Sequence, residues 1–315
     1  MSRISPSSRP VRIFLSPRIL TVVPLLAGVV AGQELVPRAY VITPIRSNAI
    51  TISASFNSGD LAFDPSVPID DAKGRFVVPV LSAFHSFGLF GRSANVVVSV
   101  PYAAGNFHGT AAGTYADVYR SGMVDSRVRF SINLRGGRAM RIEDYVKWKE
   151  RTLIGASVNL VVPTGQNDPA RVINPGTNRW AIKSEVGLAR RRNRWVLEGY
   201  SGVWWFGANH NFFPGNAVRT QRPMAAFETH LGYYLRPRLW ASLEGNFWVG
   251  GRSAINGVEK QDLQTSSRVG GSVSVPVSRH QSFKFSYNQG AYVSIGGNYK
   301  TVSAAWQYSW ITRPK

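Results

Sequence analysis

The 315 residues contain no cysteine, which excludes disulfide scaffolds, Cys-ligated zinc and iron–sulfur sites, and thiol catalysis. Histidine is scarce, at five, and none stands at metal-ligand spacing; no Walker loop or dinucleotide fingerprint occurs either. No cofactor or metal is expected. Acidic residues number only 17 against 37 Lys plus Arg, giving a formal charge of +20. The basic residues scatter along the chain rather than gather on one face, so nucleic-acid binding is a poor reading of that charge. Charged residues make up just 17%, with nine Trp and twelve Tyr, too few charges and too many rings for a disordered chain.

Long hydrophobic runs are absent except for one near the start. Arg3, Arg9, Arg12 and Arg18 precede the apolar stretch Ile19 to Val30, followed by Ala31 and Gly32, and Pro24 and Gly28 interrupt it. The run is short of the roughly 20 residues a spanning helix needs, and its basic flank and small-residue tail read as a secretory signal peptide, residues 1–32. An exported chain with no further helical span is periplasmic, secreted or an outer-membrane barrel.

From residue 49 onward the dominant signal is alternation at period two in segments of about ten residues, the pattern of strands with one apolar and one polar face. Val302, Ala304, Trp306, Tyr308 and Trp310 point one way, and Thr301, Ser303, Ala305, Gln307 and Ser309 the other. Leu239, Ala241, Leu243, Phe247 and Val249 oppose Trp240, Ser242, Glu244, Asn246 and Trp248 in the same manner. Strands are expected at 49–58, 75–87, 94–102, 124–134, 152–163, 180–189, 195–206, 224–235, 239–250, 267–277, 282–288 and 299–311. The connections alternate long and short, as in outer-membrane barrels, except that 135–151 is long on the short side and mildly helical. The expected fold is an all-β, up-and-down transmembrane antiparallel barrel of about twelve strands at 49–311, with a periplasmic N-terminal segment at 33–48 and a short tail at 312–315. A soluble sandwich also alternates, but the outward faces here carry aromatics near strand ends (Tyr102, Trp180, Trp195, Trp205, Tyr233) while the opposite faces carry charges.

The stretches SGMVDSRVRFSINL (121–134), VPTG (162–165), NPGTNRW (174–180), LEGYSGVWWFGAN (197–209), HLGYYLRPRLW (230–240), GGRSAING (250–257), RVGG (268–271) and WQYSW (306–310) together resemble the phenol-degradation meta-pathway family of transporter-like proteins. The resemblance covers almost the whole mature chain. It implies an outer-membrane β-barrel linked to uptake of aromatic compounds. One departure from the barrel pattern is the tail: Ile311 to Lys315 follow Trp310, where such barrels usually end on an aromatic residue read by the barrel-assembly machinery.

In a channel the relevant groups face the lumen, and by alternation these are Arg127, Arg129, Lys183, Glu185, Glu198, Glu228, His230, Glu244, Arg268 and Lys284. Two readings are open: a mutually neutralising network that fills the barrel, or an electrostatic constriction that selects solutes. Tyr200, Trp204, Phe206, Tyr234, Trp240 and Trp248 also fall on the inner face, where rings beside polar groups suit an aromatic solute. The loop NHNFFPGN (209–216) is expected to be exposed rather than folded inward. Arg190, Arg191, Arg192 and Arg194 crowd one short turn, either solvated or set against anionic lipid headgroups, and basic loop residues suit lipopolysaccharide phosphates. An outer-membrane lipase needs His and Ser on one surface, but His85 and Ser86 are adjacent and so point to opposite faces. The sequence therefore points to a non-enzymatic barrel for passive uptake of small aromatic or hydrophobic compounds. The alternative is a non-transporting structural or surface-binding barrel with a filled lumen.

Overall fold

The computed structural model describes residues 36–62, 69–111 and 113–312; the expected signal peptide, 1–32, lies outside them, as do the last three residues of the tail. The elements in chain order are β1 (Ser47–Ala62), β2 (Ile69–Leu89), β3 (Arg92–Ala111), β4 (Thr114–Met123), β5 (Ser126–Arg135), a one-turn helix α1 (Ile142–Tyr145), β6 (Thr152–Val162), β7 (Ala181–Arg192) and β8 (Trp195–Phe206). There follow β9 (Asn209–Phe212), β10 (Ala217–Gln221), β11 (Met224–Arg236), β12 (Leu239–Gly250), β13 (Ser253–Ile255), β14 (Val258–Glu259), β15 (Gln264–Pro276), β16 (Gln281–Val293) and β17 (Gly296–Ile311).

One sheet of thirteen strands closes on itself, because β1 pairs antiparallel with both β2 and β17. β4 and β5 are two halves of one position, both paired with β3, so the ring has twelve positions. Closure leaves no edge within the ring, which is how a sheet satisfies its backbone groups inside a bilayer. The seam between first and last strands is in continuous register from Ser47↔Ile311 to Ala62↔Gly296. We call the end at Ser47 and Ile311 the near end.

Period-two alternation decides what faces where. Leu81, Ile52 and Trp306 lie side by side in register on the outer surface, while the neighbouring Ser53 and Ala305 face in. The outer surface is apolar and exposed all round: Ile52, Leu81, Val186, Leu197, Leu243, Phe285 and Val302 each expose half or more of their area. A water-soluble protein does not leave such a belt uncovered, so its partner is the hydrocarbon of a membrane. Trp195 meets Tyr233 edge to face at 4.7 Å at the near end, as interfacial rings do.

The structure departs from the sequence expectation outside this belt. The stretches 59–74 and 103–123, expected as loops, are largely strand: β1 and β2 extend to Ala62 and from Ile69, β3 runs to Ala111 and β4 starts at Thr114. These ends continue past the apolar belt, with Leu61, Ala72 and Phe107 packed on their inner side. The expected strand at 124–134 begins later, because Val124 and Asp125 separate β4 from β5. The loops 207–223 and 251–266 hold a small second sheet, ordered β14-β13-β10-β9. The segment expected to be periplasmic does not hang free; Tyr40 and Ile42 are fully buried within the barrel's near end.

Candidate functional site

Two walls of unlike character line the lumen. Along β5 to β12 the inward residues are large and charged. Along β1, β16 and β17 they are small: Ser53, Ser55, Ser286, Ser303 and Ala305, with Ser286 and Ser303 hydroxyls 2.5 Å apart and Ser82 and Ser99 on β2 and β3 2.8 Å apart.

The charged wall is built around the N-terminal segment. Gly155 pairs directly with Gly187 across β6 and β7, and a β-carbon on either would stand 2.2 Å from an atom of the Tyr40 ring. The missing side chains make the notch that the ring fills. The Tyr40 hydroxyl donates to Glu185 Oε1 at 2.9 Å and lies 3.0 Å from Ser157 Oγ. The Arg38 backbone N–H donates to Glu198 at 2.8 Å, and its guanidinium pairs with Glu150 at 2.9 Å. Burial works against the Arg38 charge, but Glu150 and Glu198 outweigh it and hold the guanidinium above its ordinary value. Burial, reinforced by Glu185, likewise raises the Tyr40 phenol.

The charged candidates on this wall come together. Lys183 lies 2.5 Å from Glu185 and 2.8 Å from Glu228; Arg129 lies 3.8 Å from Glu185, donates to the Ala39 carbonyl, and stacks on Tyr40 at 5.0 Å. His230 is buried, with Nε2 3.6 Å from Glu228 and its ring 5.0 Å from that of Tyr200. Glu244 accepts from Ser242 at 2.7 Å. Lys284 sits half-buried on the opposite, small wall.

The aromatic candidates divide. Trp204 and Trp248 pack with Val161, Ala181, Met224 and Ala226 into a closed cluster, with Phe206 against its edge. The Arg38 and Arg191 guanidinium groups both lie over the Tyr234 ring, at 5.5 and 4.4 Å. Trp240 lies near the turn that joins β11 and β12, and Tyr200 accepts from the Ala39 backbone N–H at 3.2 Å. Tyr200 borders a small cavity with Arg129, Lys183, Glu185 and Glu228, and none of the six rings lines the larger chamber.

That chamber, of about 380 Å³, lies in the far half of the lumen. Its walls include Phe76, Phe107 and Tyr299, with Phe76 stacked on Phe107 at 5.6 Å and edge-on to Tyr299 at 5.0 Å. Arg127 and Arg268, both expected to face the lumen, are joined there by Arg120. Arg268 donates to the Tyr299 carbonyl at 2.6 Å and to Thr301 Oγ1 at 3.2 Å. Over the chamber, Phe212 and Ala217 pack with Leu61, Phe107, Ile255 and Tyr299. The loop 209–216, expected to be exposed, is therefore folded inward at Phe212 because its ring finds an apolar seat there.

A buried carboxylate holds the neighbouring loop. Asp125, in the break between β4 and β5, accepts from the Gly165 and Thr177 backbone N–H groups at 2.9 and 2.8 Å and from the Thr177 hydroxyl at 2.5 Å. Beside it the guanidinium of Arg179 is pushed down to about 9 by burial and by Arg219, and donates to Gln221 at 2.5 Å. The sequence signal for this junction was the VDS of 124–126 followed by the paired turn motifs at 162–165 and 174–180.

Fold and lumen together define a membrane-spanning β-barrel whose interior is part filled and part open. The chain belongs to the family described as "Putative MetA-pathway of phenol degradation", whose model matches residues 69–291. The COG4313 outer membrane channel from Pseudomonas putida F1 has a similar fold, with a TM-score of 0.73 at 16% identity over 88% of this chain and all of that one. Looser likenesses are the transport unit of the autotransporter AIDA-I from Escherichia coli (TM-score 0.47, 9% identity, 85% and 91% coverage) and a TodX monoaromatic hydrocarbon channel mutant (0.46, 10%, 86% and 91%). No curated protein matches the sequence.

Proposed function

We propose that this protein is an outer-membrane channel for passive uptake of small aromatic or hydrophobic compounds. The observation that carries this reading is the chamber of about 380 Å³, a size suited to a one- or two-ring solute, inside a closed barrel with an apolar outer belt. Family membership supports it, since the family is described by phenol degradation. Solutes enter from the far, outward side, rest in the chamber, and leave past residues 36–45 into the periplasm along the small serine-lined wall. No step needs energy input or covalent chemistry.

The second reading is a structural barrel with a filled lumen, favoured by the ion-paired wall and the docked Tyr40. Conductance of the refolded mature protein in a planar bilayer separates the two. Discrete current steps that an added aromatic solute blocks are expected for a channel. Silence from protein shown to be folded selects the filled barrel.

A further inference from the structure

We propose that the chamber is a binding site for small aromatic anions, aromatic carboxylates above all. The proposal deepens the channel reading and rests on it, since it names the solute class the chamber would take. Two features of the lining argue for this chemistry. The first is apolar and ring-rich: Phe76, Phe107 and Tyr299 present faces and edges within a space that holds one or two rings. The second is charge: Arg120, Arg127 and Arg268 line the chamber and none of its lining residues is Asp or Glu, while outside the lining Asp168 acts on Arg120.

The charged wall is built differently. There the buried cations stand next to carboxylates, Lys183 with Glu185 and Glu228, Arg129 with Glu185, and Arg38 with Glu150 and Glu198. In the chamber, Arg268 is aimed by the Tyr299 carbonyl and Thr301, and Arg120 by the Ile173 and Tyr119 carbonyls. Carbonyl and hydroxyl oxygens orient a guanidinium without cancelling its charge. The planar fork has five N–H donors, so one that is already oriented still matches a carboxylate. An anion with a ring satisfies both features of the lining at once: its carboxylate lies between the arginines and its ring against the phenylalanines. A neutral hydrocarbon would use only the second, and an aliphatic acid only the first.

The test is calorimetric titration of the full mature barrel in lipid nanodiscs at neutral pH with three probes: benzoate, benzyl alcohol and hexanoate. Benzoate is expected to bind at least about tenfold more tightly than either, the scale of one charge-assisted hydrogen bond. R127Q/R268Q is expected to remove its advantage over benzyl alcohol. R190Q/R192Q/R194Q, which removes three exposed charges from the end of β7 and the turn after it, is expected to keep it. R120Q, at a half-exposed and less packed position, supplies the same comparison if the double variant does not fold. Benzyl alcohol binding as tightly as benzoate, or a benzoate affinity indifferent to the chamber arginines, would overturn the proposal. Hexanoate matching benzoate would overturn its aromatic part. Flux into liposomes is read separately: benzoate binding without flux keeps the site and removes the channel, whereas benzyl alcohol flux without benzoate preference keeps the channel and removes the site.

Discussion

The hydroxyl of Tyr40 lies 2.9 Å from Glu185 Oε1 while its ring fills the notch left by two paired glycines. A residue outside the barrel sequence thus completes the barrel's charged wall, and the wall in turn holds the residue by shape and by charge.

Gly155→Ala is expected to expel that ring, since the new methyl would stand 2.2 Å from Cδ1 and a fully buried ring has nowhere to move. Single-channel conductance should rise several-fold, matching Tyr40→Ala, which empties the notch from the other side. A folded Gly155→Ala barrel with native conductance would show that segment 36–45 does not govern passage.

Alkaline pH should undock the same segment. Burial and Glu185 raise the Tyr40 phenol above its ordinary value of 10.0, so docking favours the protonated form. That contribution is fully present below the ordinary value and is lost as pH climbs above it through the raised one. Conductance should therefore increase with pH above about 10, and Tyr40→Phe, which keeps the ring but cannot ionise, should flatten the rise. An unchanged profile in Tyr40→Phe would assign the transition to another group.

Lys183→Met is expected to destabilise the barrel by about 3–5 kcal/mol, because it leaves Glu185 and Glu228 buried without their shared cation. Denaturant unfolding followed by gel mobility reads the loss. The triple variant K183M/E185Q/E228Q should recover most of it, and failure to recover would mean that Lys183 matters through packing instead.

Asp125→Ala is expected to free the loop 163–180, since three hydrogen bonds from Gly165 and Thr177 end on that one carboxylate. Limited trypsin digestion should cut at the exposed Arg171 roughly tenfold faster than in the native protein. Equal rates would show that the Arg179 and Asn209 contacts suffice to hold the loop.

Strand parity was legible because a bilayer on one side and a polar lumen on the other enforce period two. Val302, Trp306 and Leu243 announced their face before their register was known. The projecting ends of β1 to β4 were not legible: Tyr115 and Tyr119 stand exposed there, and the inward Leu61 and Phe107 are covered by Phe212 and Tyr299 from distant parts of the chain. Arg127, Lys183 and Glu228 were readable as inward charges, yet which would pair and which would line open space depends on the curvature that brings strands opposite one another. Tyr40 gave no signal at all, since a short extended segment has no period and its partner Ser157 is 117 positions away. Phe76 and Phe107 were missed because their aromatic company, Tyr299, comes from the other end of the chain.

The chamber straddles the seam. Its residues belong to β1 to β5 and the loop at Pro175 on one flank and to β15, β16 and β17 on the other, whereas the ion pairs among Arg129, Lys183, Glu185 and Glu228 lie within one arc, β5 to β11. During assembly the charged half can therefore take shape as the hairpins add, but the cavity exists only after the last strand zips to the first. An unfinished barrel would carry a salt-bridged sheet and no vestibule, so solute recognition is itself a sign that the ring has closed.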